Sequence, residues 1–200
     1  MFRLICMIIG YCIGCIETAH VIGKLWGVDL RKHGSGNLGT TNALRVLGKK
    51  AGLSVMTLDI LKVSFVVFLA VRFCPDPNGA VYGGLAAAIG HCFPIFAKFR
   101  GGKAVATMYG FLFGLFVFAG YSPLMFFLPL LAFLLVLYLT KIIALASIFS
   151  AVAVTGYTFF AVGATPVFFA LVVFTLIIIV RHRKNIERIL NHEENKISWM

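Results

Sequence analysis

The chain has 200 residues, of which 60% are hydrophobic and only 12% charged, with a mean hydropathy of +0.98. A soluble domain of this length could not cover so much apolar surface, so the composition excludes a soluble globular protein and predicts an integral membrane protein, residues 1–200 forming a single domain. The net charge of +11 does not point to nucleic acid, because the basic residues sit at the ends of apolar segments and form no stripe on a soluble face.

The first apolar segment, 4–23, follows Arg3, and no small-residue cleavage site precedes Glu17 and His20, so it reads as a retained helix and not a signal peptide. Glu17 and His20 are three apart, and their spacing leaves their role open. The cysteines are Cys6, Cys12, Cys15, Cys74 and Cys92. Cys12 and Cys15 have C-x-x-C spacing, but no second pair and no histidine pair accompanies them, so small apolar packing is expected and no metal site.

Next comes the run HGSGNLGTTNALRVLG, His33 to Gly48, a polar interruption in an oily chain. Glycines Gly34 and Gly36 let backbone amides converge on an anion, and Ser35, Asn37 and Asn42 add directed donors. Thr41 or Asn42 is expected to cap a short helix ending at Gly48, with Arg45 inside it able to grip a phosphate with two N–H groups. An ordinary surface turn with a basic flank is the alternative. Segment 52–73 then carries Asp59 and Lys62, three apart, read first as a structural ion pair and second as an ion pathway.

A turn at Pro75–Gly79 leads to segment 80–97, which contains Gly90-His91-Cys92-Phe93-Pro94. Phe99-Arg100-Gly101-Gly102-Lys103 then opens the segment 104–120, in which Thr107 lies one turn inside. Gly101, Gly102 and Lys103 ahead of a helix would bring amides, dipole and ammonium to bear on one anion. A turn with one anchoring lysine is equally compatible, and the spacing is not that of a Walker loop. His91 is read as satisfying carbonyls freed by Pro94.

Segments 124–140, 142–162 and 165–180 follow, the first two separated only by Lys141. The tail from Arg181 continues helically. There His182, Asn185, Ile186 and Ile189 share the protein-facing side, and Arg181, Lys184 and Arg188 the other. A spanning helix takes roughly 20 apolar residues, so the fold class is an all-α bundle of about seven transmembrane helices, a five-span arrangement with some segments re-entrant being the alternative. Fifteen of the 18 lysines and arginines fall in one set of loops, which puts the N-terminus outside, the C-terminus in the cytoplasm and every polar motif on the cytoplasmic face.

Five fragments in order resemble the bacterial membrane acyl-phosphate:glycerol-3-phosphate acyltransferases: GSGNLGTTNALRVLG (34–48), LDILK (58–62), GHCFPIFAKFRGGKAVAT (90–107), LASI (145–148) and RHRKNIERIL (181–190). The resemblance departs at Ala104, where glycine is usual after Gly-Gly-Lys. It implies transfer of a fatty acyl group from acyl phosphate to the 1-hydroxyl of glycerol 3-phosphate, giving lysophosphatidate and inorganic phosphate for phospholipid synthesis, without cofactor or metal. It implies a site facing the cytoplasm in the bacterial cytoplasmic membrane, lined by Ser35, Asn37, Arg45, Lys103, Ser147, His182 and Asn185. Gly34, Gly36, Asn42, Gly101, Gly102 and Thr107 complete the expected substrate-binding set. The expected partners are the two substrates and membrane lipid, the expected state a monomer. The competing reading is a transporter or flippase for a phosphorylated metabolite or lipid; clustering of the motifs at one face, with no internal repeat, weighs against it.

Overall fold

A computed structural model describes residues 1–197, and among them every regular element is helical. The helices are α1 (Phe2–Gly14), α2 (Thr18–Leu25), α3 (Thr40–Leu47), α4 (Lys49–Phe73), α5 (Gly79–Cys92), α6 (Val105–Ala119), α7 (Leu124–Thr140), α8 (Ile143–Val162), α9 (Pro166–Arg181) and α10 (Arg183–Leu190). Four stretches are long and apolar enough to cross a membrane: Phe2–Leu25, Lys49–Phe73, Gly79–Ala97 and Ile143–Val162. The pair α9 and α10, bent by 57°, makes a fifth if taken as one span, and α6 and α7 are shorter apolar helices. The chain is therefore a multi-pass membrane protein. It divides into two compact units, Met1–Gly120 and Tyr121–Met200.

In Met1–Gly120, glycines set the helix spacing. A methyl group at Gly10 would run into the Gly83 carbonyl, and one at Gly90 into the Tyr11 carbonyl, so α1 and α5 pack backbone to backbone. Lipid offers no hydrophobic drive to bring helices together, and close approach through small residues supplies the dispersion energy instead. The α4–α6 seam works likewise: Gly110 fits against the Ile60 carbonyl, and the buried Ser64 hydroxyl donates to Gly110 O at 2.8 Å.

The first apolar segment is not one helix. It breaks at Cys15–Glu17, and α2 restarts with His20 N bonding to Glu17 O at 3.0 Å. Lys62 Nζ takes the Ile16 carbonyl at 2.9 Å, which compensates the break. Hydropathy could not show this, because the group that takes up the freed carbonyl comes from α4.

In Tyr121–Met200, α7 and α8 meet at Lys141, whose φ of 60° ends α7. Helices α8 and α9 are joined by hydroxyls: Thr155 and Thr175 lie 2.8 Å apart, and Thr175 also donates to Ala151 O at 3.2 Å. The tail folds back so that Ile197 N donates to Lys141 O at 2.9 Å.

Candidate active site

The loop ahead of α3 begins with a 3-10 turn, Leu30–Lys32, capped by Asp29. The Asp29 carboxylate accepts from Arg31 N (3.1 Å), Nε (2.9 Å) and Nη2 (3.0 Å). These bonds from Arg31 hold its pKa down at about 2, although the group is exposed. Leu30 is fully buried and anchors the turn in a core with Leu38, Ala43 and Val55.

One side chain organises the rest of this loop. Asn42 Oδ1 accepts from Ser35 N at 2.9 Å, and its Nδ2 donates to Leu30 O and His33 O, both at 3.1 Å. Both amide hydrogens are thus used within the loop, and the residue is buried. Asn42, expected as a substrate contact, is the residue that shapes the loop. Ser35 N, expected to offer itself to an anion, is committed to Asn42. Gly34 lies directly against the Asn42 carbonyl oxygen with φ +61°, a position closed to side chains on both counts. Helix α3 starts at Thr40 after Gly39, with no side-chain cap, so neither Thr41 nor Asn42 caps it, while its end at Gly48 is as expected. Ser35 and Arg45 are exposed, and Gly36 and Asn37 half-buried.

The second loop runs from His91 to α6 and is built differently. Gly101 N donates to Cys92 O (3.2 Å) and Gly102 N to His91 O (3.0 Å), so these two amides, expected to face an anion, are spent on the chain. Gly101 and Gly102 are buried, Lys103 is half-buried, and Thr107 is fully buried in the first turn of α6. Amides at the start of that helix, with its dipole, remain the anion-attracting element. The loop holds Lys98, Phe99 and Ala104 at φ values of 52°, 57° and 65°, where non-glycine residues are strained. Ala104 stands at such a position where the resemblance has glycine.

Behind this loop lies a buried charge cluster. Lys62 Nζ is 2.8 Å from Asp59 Oδ1 and 3.1 Å from His91 Nδ1, and Asp59 Oδ1 also accepts from the Thr18 hydroxyl at 2.7 Å. The expected Asp59–Lys62 ion pair is present, and it includes His91, whose Nδ1 joins the charges. Sequence reading missed Thr18 altogether; its signal was a hydroxyl at the start of α2 beside an acidic residue. Alongside runs an apolar cavity of about 690 Å³, lined by Ile16, Val21, Leu58, Phe65, Phe113 and Phe118, among others, with Lys62 and Thr18 in its wall.

In Tyr121–Met200, Ser147 is buried on α8 with its hydroxyl donating to Ile143 O at 2.8 Å. His182, at the bend between α9 and α10, is buried, with Nδ1 2.8 Å from Ile178 O. A carbonyl only accepts, so Nδ1 carries a proton, and in the neutral ring Nε2 is the accepting nitrogen. Asn185 Nδ2 donates to Glu194 Oε1 at 2.6 Å, and Arg188 Nε to Glu194 Oε2 at 2.6 Å. His182 and Asn185 thus face protein, as the helical pattern predicts. Glu194 went unnoticed because its partners lie across a turn; the one signal was an acidic pair after a basic helix.

The model of the family described as "Glycerol-3-phosphate acyltransferase" matches residues 4–192. The glycerol-3-phosphate acyltransferase of Bacillus subtilis is 43% identical over 201 residues, all of both chains. That of Geobacillus kaustophilus is 43% identical over 96% of this chain and 95% of its own. The chain belongs to the glycerol-3-phosphate acyltransferase family. A crystal structure of a member of the same family, the integral membrane glycerol 3-phosphate acyltransferase PlsY (YgiH) in its glycerol 3-phosphate form, superposes with a TM-score of 0.89 at 38% identity, covering 98% of this chain and 96% of that one. The lysophosphatidic acid form of that protein superposes with a TM-score of 0.87 at 37% identity. All candidate residues from Gly34 to Asn185 fall within the stretch matched by the family model, whereas Glu194 lies beyond it.

Proposed function

We propose that this family member moves a fatty acyl group from acyl phosphate to the 1-hydroxyl of glycerol 3-phosphate, releasing lysophosphatidate and inorganic phosphate. The observation that carries the reading is the build of two glycine-rich loops on one unit, each leading into a helix, with Arg45 inside the helix after the first and Lys103 just ahead of the helix after the second. Two phosphorylated substrates require two such anion sites. Arg45 and Lys103 hold the phosphates, aided by the Ser35 hydroxyl, Gly36 and Asn37 in the first loop, while Gly34, Gly101, Gly102 and Thr107 give the two loops the shape that places these groups. His182 and Asn185 orient glycerol 3-phosphate, and Ser147 helps fix it.

Acyl phosphate is an activated mixed anhydride, so catalysis is mainly positioning and neutralisation of developing charge. The glycerol hydroxyl oxygen attacks the acyl carbon. A new C–O bond forms, the bond to the phosphate oxygen breaks, and phosphate leaves with the electron pair. With Nδ1–H donating to Ile178 O, the neutral His182 ring carries its basic nitrogen at Nε2, which accepts the hydroxyl proton. Transfer is direct: finding Ser35 acylated by rapid-quench mass analysis would overturn that step. The apolar cavity along Phe65 and Phe113 receives the acyl tail.

Counting α6, α7 and the bent pair α9–α10 as spans alongside the four long ones makes a bundle of seven. The charge distribution orients it with the N-terminus outside and the site facing the cytoplasm. The test uses purified protein in lipid with acyl phosphate and glycerol 3-phosphate. Phosphate release is expected, and Lys103→Ala or Arg45→Ala should abolish it in folded protein. Movement of labelled glycerol 3-phosphate into sealed vesicles without phosphate release would establish a transporter instead.

A further inference from the structure

We propose that His91 is a positioning residue for the reaction: its imidazole, locked by Lys62 and Asp59, is the seat that sets where Gly101, Gly102 and Lys103 lie. The inference rests on the reading of Lys103 as a phosphate ligand.

One edge of the ring is fully determined. Lys62 has three N–H groups, and three acceptors surround its nitrogen: Asp59 Oδ1 (2.8 Å), Ile16 O (2.9 Å) and His91 Nδ1 (3.1 Å). An ammonium only donates, so Nδ1 is the accepting nitrogen and the ring proton sits on Nε2. Asp59 is held in turn by the Thr18 hydroxyl at 2.7 Å, and its Oδ1 lies 3.5 Å from Nδ1. The ring can neither rotate nor flip without stripping a buried ammonium of an acceptor, which is far more expensive than losing an exposed contact.

The opposite edge carries the loop. A Cβ built at Gly102 meets Nε2, Cε1 and Cδ2 of His91 as its three nearest atoms, so the Gly102 backbone lies against the imidazole where no side chain fits. The same two residues are joined through the main chain by Gly102 N to His91 O at 3.0 Å. Gly101 is wedged equally: its Cβ would run into the His91 carbonyl and come within 2.7 Å of Pro94 Cδ and 2.8 Å of Glu17 Oε1. Lys103 follows with no slack, since Ala104 is pinned at φ 65° as the N-cap of α6. Any movement of the ring therefore moves the base of the Lys103 side chain. A buried ion pair adds little net stability over apolar packing, but it fixes direction, which an apolar seat would not.

The test uses the full chain in lipid, measuring kcat and KM for both substrates. In His91→Ala, kcat/KM should fall by roughly 10²-fold, as expected for misplacement of a binding group by about 1 Å, mostly through a higher KM for the substrate whose phosphate Lys103 holds. The losses from His91→Ala and Gly102→Ala should overlap, the double variant being no worse than the more damaged of the two single variants. A general folding defect would lower the amount of active protein at unchanged KM and would multiply with the other losses; either result overturns the proposal. Should His91→Ala not fold, His91→Gln decides: a raised KM supports the seat and a wild-type KM overturns it. Unchanged kinetics in Lys103→Ala would sink the phosphate-ligand reading itself, a separate failure.

Discussion

The loop from His33 to Gly48 and the loop from His91 to Ala104 present the same elements, glycines and a cation beside a helix, but are held in opposite ways. The first is largely exposed and is tied by one neutral side chain, Asn42, to carbonyls and an amide within twelve residues of itself. It takes its positive φ values at Gly34, Gly36 and Gly48. The second buries its glycines against a charge cluster drawn from α2, α4 and α5, and takes its positive φ values at Lys98, Phe99 and Ala104. The first loop is shaped by its own sequence and the second by its surroundings. Damage to the first should therefore stay local, and damage to the second should spread.

Asp59→Ala is expected to have the largest effect, because it leaves the Lys62 ammonium buried without its counter-charge. Breaking a buried pair costs about 3–5 kcal/mol, which should appear as a large fall in melting temperature in detergent. The double change Asp59→Leu with Lys62→Met sharpens the contrast, since it should recover much of that stability while KM stays high. Recovery of both would mean that the second loop needs only a packed floor.

Asn42→Ala should cost less, about 1–3 kcal/mol, by leaving Ser35 N and the carbonyls of Leu30 and His33 without their partner. KM should rise while the exchange protection of α4 amides stays unchanged. Loss of protection deep in α4 would erase the distinction between a local and a distributed loop.

Ala104→Gly should act in the other direction. Relief of the left-handed strain, about 1–2 kcal/mol, is partly offset by the extra chain entropy of glycine, about 0.5–1 kcal/mol. The expected outcome is a melting temperature slightly above that of the parent, with kcat retained.

The smallest effect concerns Asp29. Its folded pKa of about 2 lies below the ordinary value of about 3.9, so the stabilisation is complete above about pH 4 and is lost as pH falls through about 2. Asp29→Asn should remove that acid step from the unfolding profile and leave KM near neutral pH unchanged.

Much of this was readable beforehand. The apolar segments 52–73, 124–140, 142–162 and 165–180 correspond to α4, α7, α8 and α9 within a few residues, because helix length and hydropathy are local properties. The Asp59–Lys62 pair followed from spacing on one helix face, and the inward face of His182 and Asn185 from the helical period. The break at Cys15–Glu17 did not follow, since the group that compensates it, Lys62, lies 46 positions away from Ile16. Nor did the role of Asn42, the commitment of the Gly101 and Gly102 amides, or the capture of Asn185 by Glu194. Each depends on which partner a polar group finds, and a sequence records the group without the partner.

Composition and charge by themselves determined that this chain lives in a membrane, that it is helical and where its polar chemistry is concentrated, because burial in lipid leaves the backbone few other ways to satisfy its hydrogen bonds. The tertiary structure alone decided which donors are spent on the fold and which remain for a ligand. It showed Asn42 clamping the first loop and His91 joined to a buried charge cluster. The reason is physical: in a low-dielectric interior each polar group must be paired, and the pairing is chosen by packing across helices distant in sequence.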